Sequence, residues 1–177
     1  MPRRPRTSAA ARRSPVGTAW WRGSRGEWYV VAQVLLIALV LFGPRSPAAW
    51  PAWGPAGLRQ VLRFAGAGLM VAGALLFGWG VWALGRAITP LPHPRAGAAL
   101  VSSGPYAFVR HPIYGGLVLL ALGFAAGIQD WLALGFAALL VVLLDVKSRR
   151  EERWLEERHP TYADYRRRVR KLIPFVY

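Results

Sequence analysis

Four apolar stretches, separated by polar or proline-rich breaks, organise this chain. The first runs from about Trp28 to Phe42, between a basic start and Gly43-Pro44-Arg45, with Trp20 and Trp21 placed as interfacial anchors. The second covers about Val61 to Leu84, where Gly66, Gly73, Gly78 and Gly80 suit close helix packing. The third and fourth, 112–128 and 131–146, are joined by Gly127-Ile128-Gln129-Asp130, which reads as a turn. Pro112 suits the first turn of a helix, where its missing N–H costs nothing. Each arm of this hairpin has about 16 residues, roughly 24 Å of helix and short for a hydrocarbon core of about 30 Å. Between spans, 46–57 is rich in Pro and Trp and is expected along the far interface. The 87–103 stretch, with Pro90, Pro92 and Pro94, cannot be one regular helix and reads as a near-side loop. The pattern therefore predicts an all-α integral membrane protein of about four transmembrane helices, the last two forming a short hairpin.

Composition sharpens this picture. Apolar residues make up 54% of the chain, above the roughly 45–50% of soluble domains. The absence of cysteine excludes disulfides, thiolate metal sites and cysteine nucleophiles. His93 and His159 stand isolated, so no metal site is expected. A net charge of +15 raises the question of nucleic acid, but the basic residues alternate with the apolar spans: seven precede Trp28, and ten lie from Lys147 onward. That is the positive-inside pattern, and no nucleic-acid partner is expected. It predicts a plasma (inner) membrane protein with both termini and the 85–111 loop cytoplasmic. Residues 1–26 then form a disordered basic tail drawn to anionic lipid, and 27–177 the membrane domain, with 147–177 a cytoplasmic segment. No small-residue cleavage site follows the first apolar run, so a signal peptide is not expected.

Two polar clusters flank the hairpin. Arg110 and His111 stand at its mouth with Tyr106 and Tyr114 nearby, and Arg149-Arg150-Glu151-Glu152 follows its second arm. A helix beginning at Pro112 turns its free amides toward the near side, favouring an anionic group there. If the returning helix continues, Glu151 and Glu152 lie about 9 Å beyond the last apolar turn, on that same side. A pocket with both signs of charge suits a ligand that carries both. Plainer roles exist for each residue. His111 can cap the helix, with Arg110 an anchor beside it. Glu152 and Glu156, one turn apart, can belong to a solvated salt-bridge face, and Asp145 can pair with Arg149. Tyr162, Tyr165, Val169 and Leu172 have the 3-4-3 spacing of an amphipathic helix's apolar stripe. Arg166 to Arg168, Arg170 and Lys171 read as a basic patch facing lipid.

In order, the run Gly104–Gly116, the pair Glu151-Glu152 and the ending Tyr162-x-x-Tyr165 … Ile173-Pro174 resemble a family of integral-membrane methyltransferases. That family includes the isoprenylcysteine carboxyl methyltransferases and the phospholipid N-methyltransferases. The resemblance covers roughly Pro90 to Tyr177, half the chain. It implies methyl transfer from S-adenosylmethionine to a lipid-like or membrane-partitioned acceptor. It implies catalytic roles for Arg110, His111 and Glu152, and a cofactor site lined by Tyr106, Arg110, His111, Tyr114, Glu151, Glu152 and Tyr165. His159-Pro160 departs from the Phe-Gly pair that many relatives carry there. Membrane sterol and steroid reductases also resemble this half, including the ending Ile173-Pro174-Phe175-Val176-Tyr177. Their NADPH phosphates call for basic residues where this chain has Glu151-Glu152. A non-enzymatic membrane protein is the remaining alternative. Neither acceptor nor oligomeric state is legible in the chain.

Overall fold

A computed structural model describes residues 26–47, 56–85 and 100–173 of the chain. The basic tail with its two tryptophans, most of the Pro- and Trp-rich far-side segment, the proline-rich loop as far as residue 99 and the ending from Pro174 lie outside the described residues. What is described is helical: α1 Glu27–Phe42, α2 Ala56–Leu84, α3 Pro112–Ile128, α4 Trp131–Arg158 and α5 Tyr162–Arg168, with a single 3-10 turn at Gly104–Ala107 before α3.

Two of these helices, α2 and α4, are long and apolar enough to cross a membrane, not four. With 16 and 17 residues, α1 and α3 are apolar but shorter. Only α3 is therefore a short arm of the hairpin; α4 runs unbroken for 28 residues, well past its apolar part. No Gly or Pro interrupts 136–158, so nothing stops the backbone ladder where the side chains turn polar. Phe64, Val71, Leu75 and Trp82 on α2 are 61–80% exposed, a face that water would not tolerate and lipid would cover. The chain is a membrane protein.

The helices alternate in direction, and each end of the bundle is tied. α2 packs along α3, α3 against α4, and α4 against α1. At one end Asp130 caps α4 by accepting from the Ala133 amide at 2.8 Å, and its other oxygen accepts from the amide and hydroxyl of Ser46. Gln129, in the left-handed region at φ 55°, reaches the Arg59 carbonyl on α2. At the opposite end stand Pro112 and the polar extension of α4.

Glycine makes the α2–α3 seam close. Gly66, Gly73 and Gly80 recur every seventh residue and meet Gly123, Gly116 and the Pro112–Ile113 turn in antiparallel order. A Cβ on Gly73 would lie 2.8 Å from the Gly116 carbonyl oxygen, so these backbones touch where side chains would hold them apart. Gly78 is different: a Cβ there would meet nothing within 4 Å, and it takes no part in the seam.

Candidate functional site

His111 immediately precedes α3, yet its side chain does not cap that helix. It turns instead toward α4. Its Nε2 lies 3.1 Å from Glu152 Oε1 and its Nδ1 3.7 Å from Glu151 Oε2. Arg110 Nε donates to the same Glu152 oxygen at 2.8 Å. One turn into α3, the Tyr114 hydroxyl donates to Glu151 Oε2 at 3.0 Å, and its ring stacks on His111 with 6° between the planes. Arg110, His111, Tyr114, Glu151 and Glu152 thus form one connected cluster, built where the start of α3 meets the extension of α4. The solvated salt-bridge alternative does not describe Glu152, which is 3% exposed; Glu156, further out, pairs with Arg166.

The two carboxylates are held differently. Burial alone would raise the Glu152 carboxyl, but hydrogen bonds and charge from His111 and Arg110 outweigh it and hold it at about 2. For Glu151 burial prevails and the carboxyl sits above its ordinary value, with Glu152 adding to the rise and His111, Tyr114 and Lys147 opposing it. Its side chain is still a quarter exposed. Glu152 is a fixed anion locked to its partners, whereas Glu151 is a carboxylate that gains by meeting a cation or a donor.

The C-terminal segment lies over this cluster because backbone bonds put it there. The amides of Arg110 and His111 donate to the carbonyls of Arg170 and Lys171 at 2.8 and 3.0 Å. Arg110 Nη1 also donates to the carbonyls of Arg166 and Val169. This corrects the expectation of one amphipathic helix through Leu172. α5 ends at Arg168, Val169 turns extended, and 169–172 runs beside the residues before α3, because two backbone bonds and the Arg110 clamp draw it out of the helix. Gly115 is what admits it: a Cβ there would lie 2.1 Å from the Leu172 carbonyl oxygen. Arg166, expected to face lipid, sits at the rim with its Nε 3.6 Å from Glu152 Oε2. Asp145 pairs with Arg149 and is also met by Lys171.

Tyr106 and Tyr165 adjoin the cluster and are joined to each other: the Tyr165 hydroxyl donates to the Tyr106 carbonyl at 2.6 Å. The 3-10 turn carrying Tyr106 begins at Gly104, whose φ of 61° lies in the left-handed region that favours glycine. Burial raises both phenols, that of Tyr165 to about 12, so both stay neutral. Tyr162, read as part of the apolar stripe, is 1% exposed beside Tyr165.

Sequence reasoning passed over Lys147. It is 2% exposed, its Nζ donates to Gln33 Oε1 of α1 at 2.7 Å, and it lies 4.9 Å from the Tyr114 ring centre. A lysine ending an apolar span reads as a topology anchor. Its signal was Gln33, a polar residue inside an otherwise apolar helix, together with the four-residue step from Lys147 to Glu151.

Two comparisons bear on this arrangement. The sequence model of the phospholipid methyltransferase family ("Phospholipid methyltransferase") matches residues 61–161, more than half of the chain. The matched region holds most of α2, all of α3 and α4, and every member of the connected cluster. The chain is also similar to the cobalt-zinc-cadmium resistance protein CzcN of Cupriavidus metallidurans, with 31% identity over 155 residues, 84% of this chain. It spans 62% of that relative's length.

Proposed function

The chain belongs to the phospholipid methyltransferase family, and from that premise we propose that it transfers a methyl group from S-adenosylmethionine to a lipid-like or membrane-partitioned acceptor. The acceptor class includes a prenylcysteine carboxylate, a phospholipid amine or a similar group. The observation that carries the reading is the buried Arg110–His111–Glu152 triad with the partly exposed Glu151 beside it, built where the start of α3 meets the extension of α4.

The residues present fit this cofactor by the chemistry of their donors and acceptors. S-adenosylmethionine supplies a methyl group on a sulfonium, together with a second cation, a carboxylate and ribose hydroxyls. Glu151, raised by burial, is improved by a cation or by hydroxyl donors. The stacked rings of His111 and Tyr114 offer a wall beside it, which Tyr106 and Tyr165 extend. Arg110 spends its Nε and Nη1 on Glu152 and on two backbone carbonyls, so its role is to order the pocket. Glu152 holds His111 and Arg110 in place. Transfer to a carboxylate or sulfur acceptor needs alignment above all. An amine acceptor needs a base, and His111, whose two ring nitrogens lie 3.7 Å from Glu151 and 3.1 Å from Glu152, is the group to supply it. In this reading α1 and α3 cross beside the longer α2 and α4, their shorter length met by local thinning of the bilayer. Both termini and the site face the cytoplasm.

The test is equilibrium binding of radiolabelled S-adenosylmethionine to the detergent-purified chain, with NADPH as competitor and His111→Ala and Glu151→Gln beside wild type. Saturable binding that both substitutions weaken and NADPH leaves alone supports the reading. Folded protein that binds NADPH instead refutes it in favour of a reductase, and folded protein that binds neither refutes both.

A further inference from the structure

The Tyr162 hydroxyl is a buried side-chain polar atom with no hydrogen-bond partner among the described residues, in a residue only 1% exposed. Burying a hydroxyl unbonded is costly, and native proteins leave few such groups without a reason. Its neighbour makes the contrast: Tyr165, one helical turn on, has its hydroxyl committed to the Tyr106 carbonyl. The orphan also lies beside the site: the Tyr162 ring centre is 5.7 Å from that of Tyr165, which is bonded to the Tyr106 carbonyl, and Glu152, Arg110 and Glu151 all act electrostatically on it.

What could this hydroxyl meet? Burial and the two carboxylates push the phenol well above its ordinary range, so it keeps its proton and is available as a donor. A cationic group has no lone pair to accept that proton. An anionic group would be repelled by Glu151 and Glu152, while the cations acting here are already engaged, Arg110 by Glu152 and the backbone and Arg166 by Glu156. An uncharged hydroxyl oxygen or ring nitrogen remains. Resting on the methyl-donor reading, we infer that Tyr162 is a ligand-binding residue whose hydroxyl donates to an uncharged acceptor atom on the nucleoside part of the cofactor. Tyr165, one of the three tyrosines expected at the cofactor from sequence, then acts as a positioning residue through Tyr106.

The experiment is Tyr162→Phe in the full chain in detergent micelles, which keeps the ring and removes only the hydroxyl. S-adenosylhomocysteine is the titrated probe, with adenosine and methionine as competitors and the ligand-free thermal midpoint as second readout. One lost hydrogen bond predicts about 5- to 10-fold weaker probe binding. Competition by adenosine should weaken with it, and competition by methionine should not. The ligand-free midpoint should stay or rise, because an unbonded buried hydroxyl is replaced by hydrogen. Tyr165→Phe, which orphans the Tyr106 carbonyl, should lower that midpoint. Probe affinity within twofold of wild type overturns the inference, as does a loss confined to methionine. A lower ligand-free midpoint for Tyr162→Phe overturns it too, since the hydroxyl would then have a protein partner. Wild type that binds no probe overturns the methyl-donor reading itself.

Discussion

Replacing Glu152 with Gln keeps the shape of the side chain and removes its charge, which isolates what that charge does. One oxygen accepts from both Arg110 Nε and His111 Nε2, at 2.8 and 3.1 Å, in a side chain only 3% exposed. The magnitude follows from proton linkage. A carboxyl held at about 2 in the folded chain, against an ordinary 4.5, makes the folded state about 3 kcal/mol more stable at neutral pH, at about 1.4 kcal/mol per pH unit. The sign follows from the direction: the folded value is depressed, so this stability is complete above about pH 4.5 and fades as pH falls toward 2. For a chain of this size each kcal/mol moves the thermal midpoint by roughly 2–4 °C. Glu152→Gln should thus melt roughly 6–12 °C below wild type at pH 7. The gap should narrow steadily between pH 4.5 and 3, because wild type loses what the variant never had. Intrinsic tryptophan fluorescence during heating in detergent, at a series of pH values, measures it. A variant as stable as wild type at pH 7, or a gap unchanged down to pH 3, would refute the assignment of Glu152 as the locked anion.

Glu151→Gln should do the opposite at neutral pH. Its folded carboxyl is raised, so its contribution to stability is present at low pH and lost as pH climbs; removing the charge should leave the midpoint unchanged or higher at pH 7 while cofactor binding falls. Gly116→Ala should destabilise by about 1–3 kcal/mol, since its Cβ would lie 2.7 Å from the Phe77 amide nitrogen across the seam. Gly78→Ala, facing open space, should be neutral or stabilise by up to about 1 kcal/mol, so chemical or thermal unfolding should separate the two glycines. Arg110→Lys retains the charge but cannot serve Glu152 and two carbonyls at once. The Arg110 and His111 amides that hold the C-terminal segment should then exchange hydrogen faster in mass spectrometry of the corresponding peptides, with methyl-donor affinity reduced.

How much of this the linear chain carried depends on the range of the physics involved. Local rules placed the helices: apolar runs, Pro112 at a first turn and the Gly127–Asp130 turn are properties of neighbouring residues, and they put α3 and α4 antiparallel. That topology alone brings Arg110-His111 and Glu151-Glu152 to one end, so the cluster's membership was legible before its geometry. The seven-residue recurrence of Gly66, Gly73 and Gly80 was legible too, whereas the idleness of Gly78 was not, because it depends on which face α3 covers. The tertiary structure decided everything that long-range bonds decide. It made Glu152 a locked anion and Glu151 a raised one, although the two are adjacent in sequence, since burial and partners differ across a few ångströms. It ended α5 at Arg168 because the backbone before α3 and the Arg110 guanidinium outbid the helix for residues 169–172. It left Tyr162 with an unused hydroxyl and gave Tyr165 a partner, a distinction invisible to a 3-4-3 spacing that treats both as apolar positions. Periodicity records which face of a helix is covered; only the fold determines which atom covers it.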